Sequence, residues 1–91
     1  MIKCVADVRL GLLALDAELY ADLERLLLEN GCSDGGDLWG FNLYPDDESD
    51  DYIEYDALIN IRSWQNNPTR GVSDPAIRES IKQIVEQFIK G

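Results

Sequence analysis

The sequence predicts an α+β domain: a small, mainly antiparallel sheet of three to four strands, with a C-terminal amphipathic helix packed on one face and a second helix near residues 17–29. Three observations carry this expectation. Apolar residues alternate with period two in several segments, and the last sixth of the chain holds an apolar stripe at helical spacing. Ninety-one residues, 45% of them apolar, provide for one core and hence one domain over 1–91.

Residues 2–8 place Ile2, Cys4, Ala6 and Val8 on one face and Lys3, Val5 and Asp7 on the other, as a strand does. Arg9-Leu10-Gly11 can turn tightly because Gly11 tolerates positive φ, so Leu12-Leu13-Ala14-Leu15 is expected to return as the second arm of a hairpin. Between residues 16 and 30, Leu19, Leu23, Leu26 and Leu27, with Tyr20, fit one helical face; Asp16 can cap its start and Asn30-Gly31 its end. The competing reading continues the second strand and pairs Leu26-Leu27-Leu28 with residues 38–44. Gly31 to Asp37 is a loop by composition.

In the strand expected at 38–44, Trp39, Phe41 and Leu43 point one way and Leu38, Gly40, Asn42 and Tyr44 the other, until Pro45 ends it. An acidic turn, residues 46–51, leads into the cleanest alternation in the chain. There Ile53, Tyr55, Ala57, Ile59 and Ile61 oppose Glu54, Asp56, Leu58, Asn60 and Arg62, which predicts a long hairpin with the Trp39 strand. Residues 63–73 form an irregular connection. Asp74-Pro75 opens the final helix as N-cap and first-turn proline, and Ile77, Ile81, Ile84, Val85, Phe88 and Ile89 form its apolar stripe.

Eighteen acidic residues against eight basic ones leave a net charge of −10, with no histidine to titrate near neutrality. That field repels nucleic-acid phosphates and anionic lipid, so neither a nucleic acid nor a membrane is an expected partner; basic surfaces and cations are favoured. Seven of the acids lie between Asp46 and Asp56, where there is no base, while Arg70, Arg78 and Lys82 lie near the start of the last helix. Two distant cysteines, Cys4 and Cys32, suit a reduced cytoplasmic protein, with Cys4 in the core and Cys32 in a loop. No stretch reaches membrane-spanning length.

Without histidine the common nucleophilic triads are excluded, and there are too few nitrogen and sulfur ligands for a structural zinc site. No glycine-rich phosphate loop is followed by Lys-Ser/Thr. The acidic turn is not an EF-hand: counted from Asp46, position six is Asp51 rather than glycine and position twelve is Ala57 rather than glutamate. If one sheet face is left open, it carries Asp7, Asn42, Tyr44, Glu54, Asp56, Asn60 and Arg62, and beside it Trp64-Gln65-Asn66-Asn67 either folds back on the core or meets a partner.

A further set of words runs through these elements: Leu38-Trp39-Gly40, Asn42, Tyr44-Pro45, Glu54-Tyr55, Leu58-Ile59-Asn60-Ile61-Arg62, Gln65, Asn67, Asp74-Pro75 and Ile77-Arg78. Together they resemble an uncharacterised family of small prokaryotic proteins, a domain of unknown function. Ser63-Trp64 and Tyr20 depart from that pattern, which more often has Pro followed by a small or polar residue, and His. The resemblance implies no activity, but it draws attention to Arg62, Gln65 and Asn67.

The leading expectation is a non-catalytic binding or regulatory module that uses the open sheet face and the 62–70 loop. Its binding residues would be Asp56, Asn60, Arg62, Trp64, Gln65 and Asn67, and its partner a protein or a small polar ligand. The alternative is a Ca²⁺ or Mg²⁺ site at Asp46, Glu48, Asp50 and Asp51; no other cofactor is expected. A hydrolase working with paired carboxylates is the least supported reading, because eighteen acids always offer pairs, and no catalytic residue is singled out.

Overall fold

The structure, a computed structural model, describes residues 1–15, 20–29, 35–47, 49 and 52–90. Strands β1 (Ile2–Asp7), β2 (Leu12–Leu15), β3 (Leu38–Leu43) and β4 (Ile53–Glu54) form one antiparallel sheet in the order β2-β1-β3-β4. Helices α1 (Tyr20–Glu29) and α2 (Pro75–Val85) complete an α+β fold, and α2 widens into a π-helical turn at Glu86–Lys90. The β1–β2 turn needs Gly11, whose φ is 71°, and Asp7 ties it down by accepting from the N–H groups of Arg9 and Leu10 at 2.8 and 2.9 Å.

Register sorts the core. Ile2, Cys4 and Ala6 pair with Leu43, Phe41 and Trp39, and these residues meet Ile53, Ile81, Ile84 and Val85 beneath α2. Asp74 caps α2 through the Ala76 N–H at 2.8 Å with Pro75 at its first position, as the sequence predicts. On the other face Val5, Ala14 and Leu38 pack against Leu23 and Leu27 of α1, with Leu12, Tyr20 and Ile59 at the margin. The expected helix at 17–29 is therefore present from Tyr20, and Asp16 to Leu19, Asn30 and Cys32 lie outside the described residues.

Two expectations are corrected. The expected open polar face is largely closed, because α1 packs on the side opposite α2: Asp7, Asn42, Asn60 and Arg62 are buried, Tyr44 and Asp56 are half-buried, and Glu54 is exposed. The long strand over 53–61 is also absent. After Glu54 the chain leaves the ladder, passes through a 3₁₀ turn at Leu58–Asn60 and makes another at Ser63–Gln65. The apolar alternation is divided accordingly: Ile53 and Tyr55 join the α2 side, Ile59 joins the α1 side and Ile61 is exposed.

The cause lies in the side chains of Asn60 and Arg62. The Asn60 amide accepts from the Gly40 N–H and donates to the Gly40 carbonyl, both at 2.8 Å, so it occupies the place a continued β4 backbone would take. Further along the same β3 edge, Arg62 Nη2 donates to the Leu38 carbonyl. Ala57 crosses so close to β3 that a Cβ on Gly40 would lie 2.7 Å from its own, so any larger residue at position 40 would force the two segments apart. Two polar side chains thus finish the edge of the sheet where a strand would otherwise do so.

Candidate functional site

Once the chain has left the ladder, residues 62–67 close a hairpin of their own. Arg62 and Asn67 exchange both backbone hydrogen bonds, at 2.6 and 2.9 Å, and Asn66 makes the turn in the left-handed region at φ 57°. Asparagine is among the few non-glycine residues that enter this region readily. The base of the hairpin is pinned from below. The Arg62 guanidinium stacks on Trp39 with its centre 4.4 Å from the ring centroid, and donates to the carbonyls of Ile59, Gly36 and Leu38 and to Gln65 Oε1. Burial draws this guanidinium below its usual pKa, opposed by Glu24 and Asp37, yet arginine keeps its charge. Asn67 Nδ2 donates to the carbonyls of Asn60 and Gly71, both at 2.7 Å, and its Oδ1 accepts from the Ser73 N–H at 2.8 Å.

Of the six residues expected to bind, the structure brings five together and gives most of them work within the fold. Arg62, Asn60 and Asn67 are buried braces, and Gln65 joins Arg62 in holding the Gly36 carbonyl, its Nε2 donating at 3.0 Å. Trp64 is the exception: it is 73% exposed at the tip of the braced hairpin. Asp56 lies apart, paired with Arg70 at 2.7 Å.

Between this hairpin and the start of α2 lies a cleft of about 490 Å³. Trp39 comes to it from the sheet, Gln65, Asn66 and Asn67 from the hairpin, and Ser73, Asp74 and Ile77 from the opening of α2. Its size falls within the roughly 300–1,000 Å³ of ligand pockets. Asp74 and Ile77 were legible only as a cap and a helix-stripe residue. Asn66 carried one usable signal, a pair of asparagines after a tryptophan in a loop.

A second polar cluster occupies the edge of the α1 face. The Tyr20 hydroxyl donates to Asn42 Oδ1 and lies 3.1 Å from the Asp56 carbonyl; Glu54 Oε1 accepts from Asn42 Nδ2 at 2.8 Å and from the Tyr44 hydroxyl at 3.1 Å. Desolvation pushes both tyrosine hydroxyls above their ordinary pKa, helped by the charges of Glu54 and Asp56. Of the proposed cation ligands, Asp46 is exposed, while Glu48, Asp50 and Asp51 lie outside the described residues. Among the described residues no three metal-binding side chains come together, and no helix is long and apolar enough to cross a membrane.

No curated protein and no solved structure matches the chain. A family model does match it, over residues 1–88, under the description protein of unknown function (DUF5674). With nearly its whole length covered, the chain belongs to this family of unknown function.

Proposed function

We propose that the protein is a binding module that engages a basic partner protein at the end formed by the 62–67 hairpin and the start of α2. One observation carries this reading: a large aromatic side chain stands 73% exposed on a hairpin whose base is buried and fully hydrogen-bonded. An exposed tryptophan gives nothing to folding stability that a smaller residue would not, whereas at an interface tryptophan is among the strongest anchors. Holding it on a braced hairpin lowers the ordering entropy that binding would otherwise cost. The net charge of −10 supports a basic partner and fast association at low salt. A reducing cytoplasm suits the buried Cys4 thiol.

The test is affinity capture with the wild-type protein and with Trp64→Ala, each first shown to melt at the same temperature. A partner retained by the wild type and lost by the variant is expected, with capture weakening as salt is raised. An identical set of captured proteins on both would overturn the reading.

A further inference from the structure

We propose that the cleft beside Trp64 receives a cationic side chain, lysine or arginine, of the partner; this deepens the module reading and rests on it. The argument begins with which groups in the cleft are already committed. Gln65 and Asn67 form its wall, but their amides are used by Arg62, Gly36, Asn60, Gly71 and Ser73. The backbone donors at the helix opening are committed too, the Ser73 N–H to Asn67 Oδ1 and the Ala76 N–H to Asp74 Oδ1, each at 2.8 Å. These two backbone N–H groups are therefore closed to an anion.

What the cleft offers is oxygen. Asn66, Ser73 and Asp74 are exposed along it, and among the described residues of its lining Asp74 is the one that is ionisable. Carboxylate, hydroxyl and amide oxygens suit a head group that only donates: an ammonium has three N–H donors and a guanidinium five, and neither accepts. Trp39 and Ile77 supply an apolar wall for the aliphatic stem of such a side chain. Among the described residues of this end, Arg62, Arg70 and Arg78 are each engaged elsewhere, Arg70 with Asp56 at 2.7 Å. Arg62 sits against Trp39 with its N–H groups on carbonyls, and Arg78 lies over the Tyr55 ring.

Two substitutions separate this chemistry from folding. Asp74→Asn removes the charge but keeps the cap, since asparagine caps as well as aspartate. Asn66→Gly removes the amide at a φ of 57°, which glycine adopts without strain. The probes are the blocked peptides acetyl-Gly-Lys-Gly-amide and its norleucine and glutamate counterparts, titrated against the ¹⁵N-labelled protein. The lysine peptide is expected to shift the Asn66, Ser73 and Asp74 amides and the Trp39 indole N–H, and the other two to leave them in place. Asp74→Asn should weaken the lysine peptide about two- to fivefold, the worth of one exposed ion pair, and Asn66→Gly should weaken it less.

The proposal is overturned if the norleucine or glutamate peptide shifts the same resonances equally. It is also overturned if Asp74→Asn binds the lysine peptide as the wild type does, or if the shifts fall instead on the acidic 46–56 segment. In those cases capture that still depends on Trp64 would leave the module reading standing; loss of that dependence would remove both.

Discussion

Replacing Asn60 with alanine tests the central structural claim, that a side-chain amide stands in for the missing part of β4. Asn60 is fully buried, and its amide alone meets the N–H and the carbonyl of Gly40, each at 2.8 Å, with a third bond to the Arg70 carbonyl at 3.0 Å. Gly40 is itself buried, so in Asn60→Ala both of its peptide groups lose their partner where water has poor access. At about 1–3 kcal/mol for each buried group left unsatisfied, the expected loss is about 2–6 kcal/mol. The Arg70 carbonyl still accepts from the Ala57 N–H at 3.0 Å, so it adds little. Against the roughly 5–15 kcal/mol that holds a domain of this size, such a loss is large. Urea unfolding followed by tryptophan fluorescence gives the total, and amide exchange at Gly40 gives the local effect, which should be a marked loss of protection. Asn60→Asp should be at least as damaging at neutral pH, because it sets a carboxylate oxygen against the Gly40 carbonyl. A loss below about 1 kcal/mol with the Gly40 amide still protected would refute the reasoning; the chain would then have another way to close that edge.

Gly40→Ala should cost about 1–3 kcal/mol by overpacking, because the added methyl would lie 2.7 Å from Ala57 Cβ and 3.1 Å from Ile59 Cγ1; chemical denaturation measures it. Acrylamide quenching should resolve two tryptophans, an accessible Trp64 and a protected Trp39, and Trp64→Ala should abolish the accessible fraction while moving stability by no more than about 0.5 kcal/mol. Because burial raises the Tyr20 hydroxyl above its unfolded pKa, the fold favours the protonated phenol. That contribution is complete below about pH 10 and is lost as pH rises through the folded value. Tyr20→Phe should therefore reduce the alkaline loss of stability and remove a late-titrating tyrosine from the ultraviolet absorbance titration. Tyr44 and Tyr55, also raised, should keep part of the effect.

The α2 stripe from Ile77 to Val85, the β1–β2 hairpin and the two faces of β3 were legible because each rests on local periodicity, and packing followed it: Trp39, Phe41 and Leu43 lie on one side and Leu38 on the other, whereas Phe88, expected on the stripe, is exposed where α2 widens into its π-helical turn. Residues 53–62 alternate more cleanly than any of these, yet only Ile53 and Glu54 are strand. Alternation reports that successive side chains have different environments; it does not report what the backbone bonds to. Asn60 and Arg62 look like the outward half of a strand because both are polar, but they are polar because they hydrogen-bond to the β3 edge from inside. A single sequence does not separate these cases, since the evidence for the second is the unpaired edge of a strand some twenty residues earlier, at Gly40 and Leu38. The same departure builds the candidate site. Had β4 run on to Arg62, that residue could not have turned beneath the 62–67 hairpin to brace it against Trp39, and the wall of the cleft beside Asp74 would not stand where it does. Most of the residues singled out as a binding surface are thus the foundation of the proposed one; of them Trp64 stands exposed on it, beside Asn66, Ser73 and Asp74, which were not singled out.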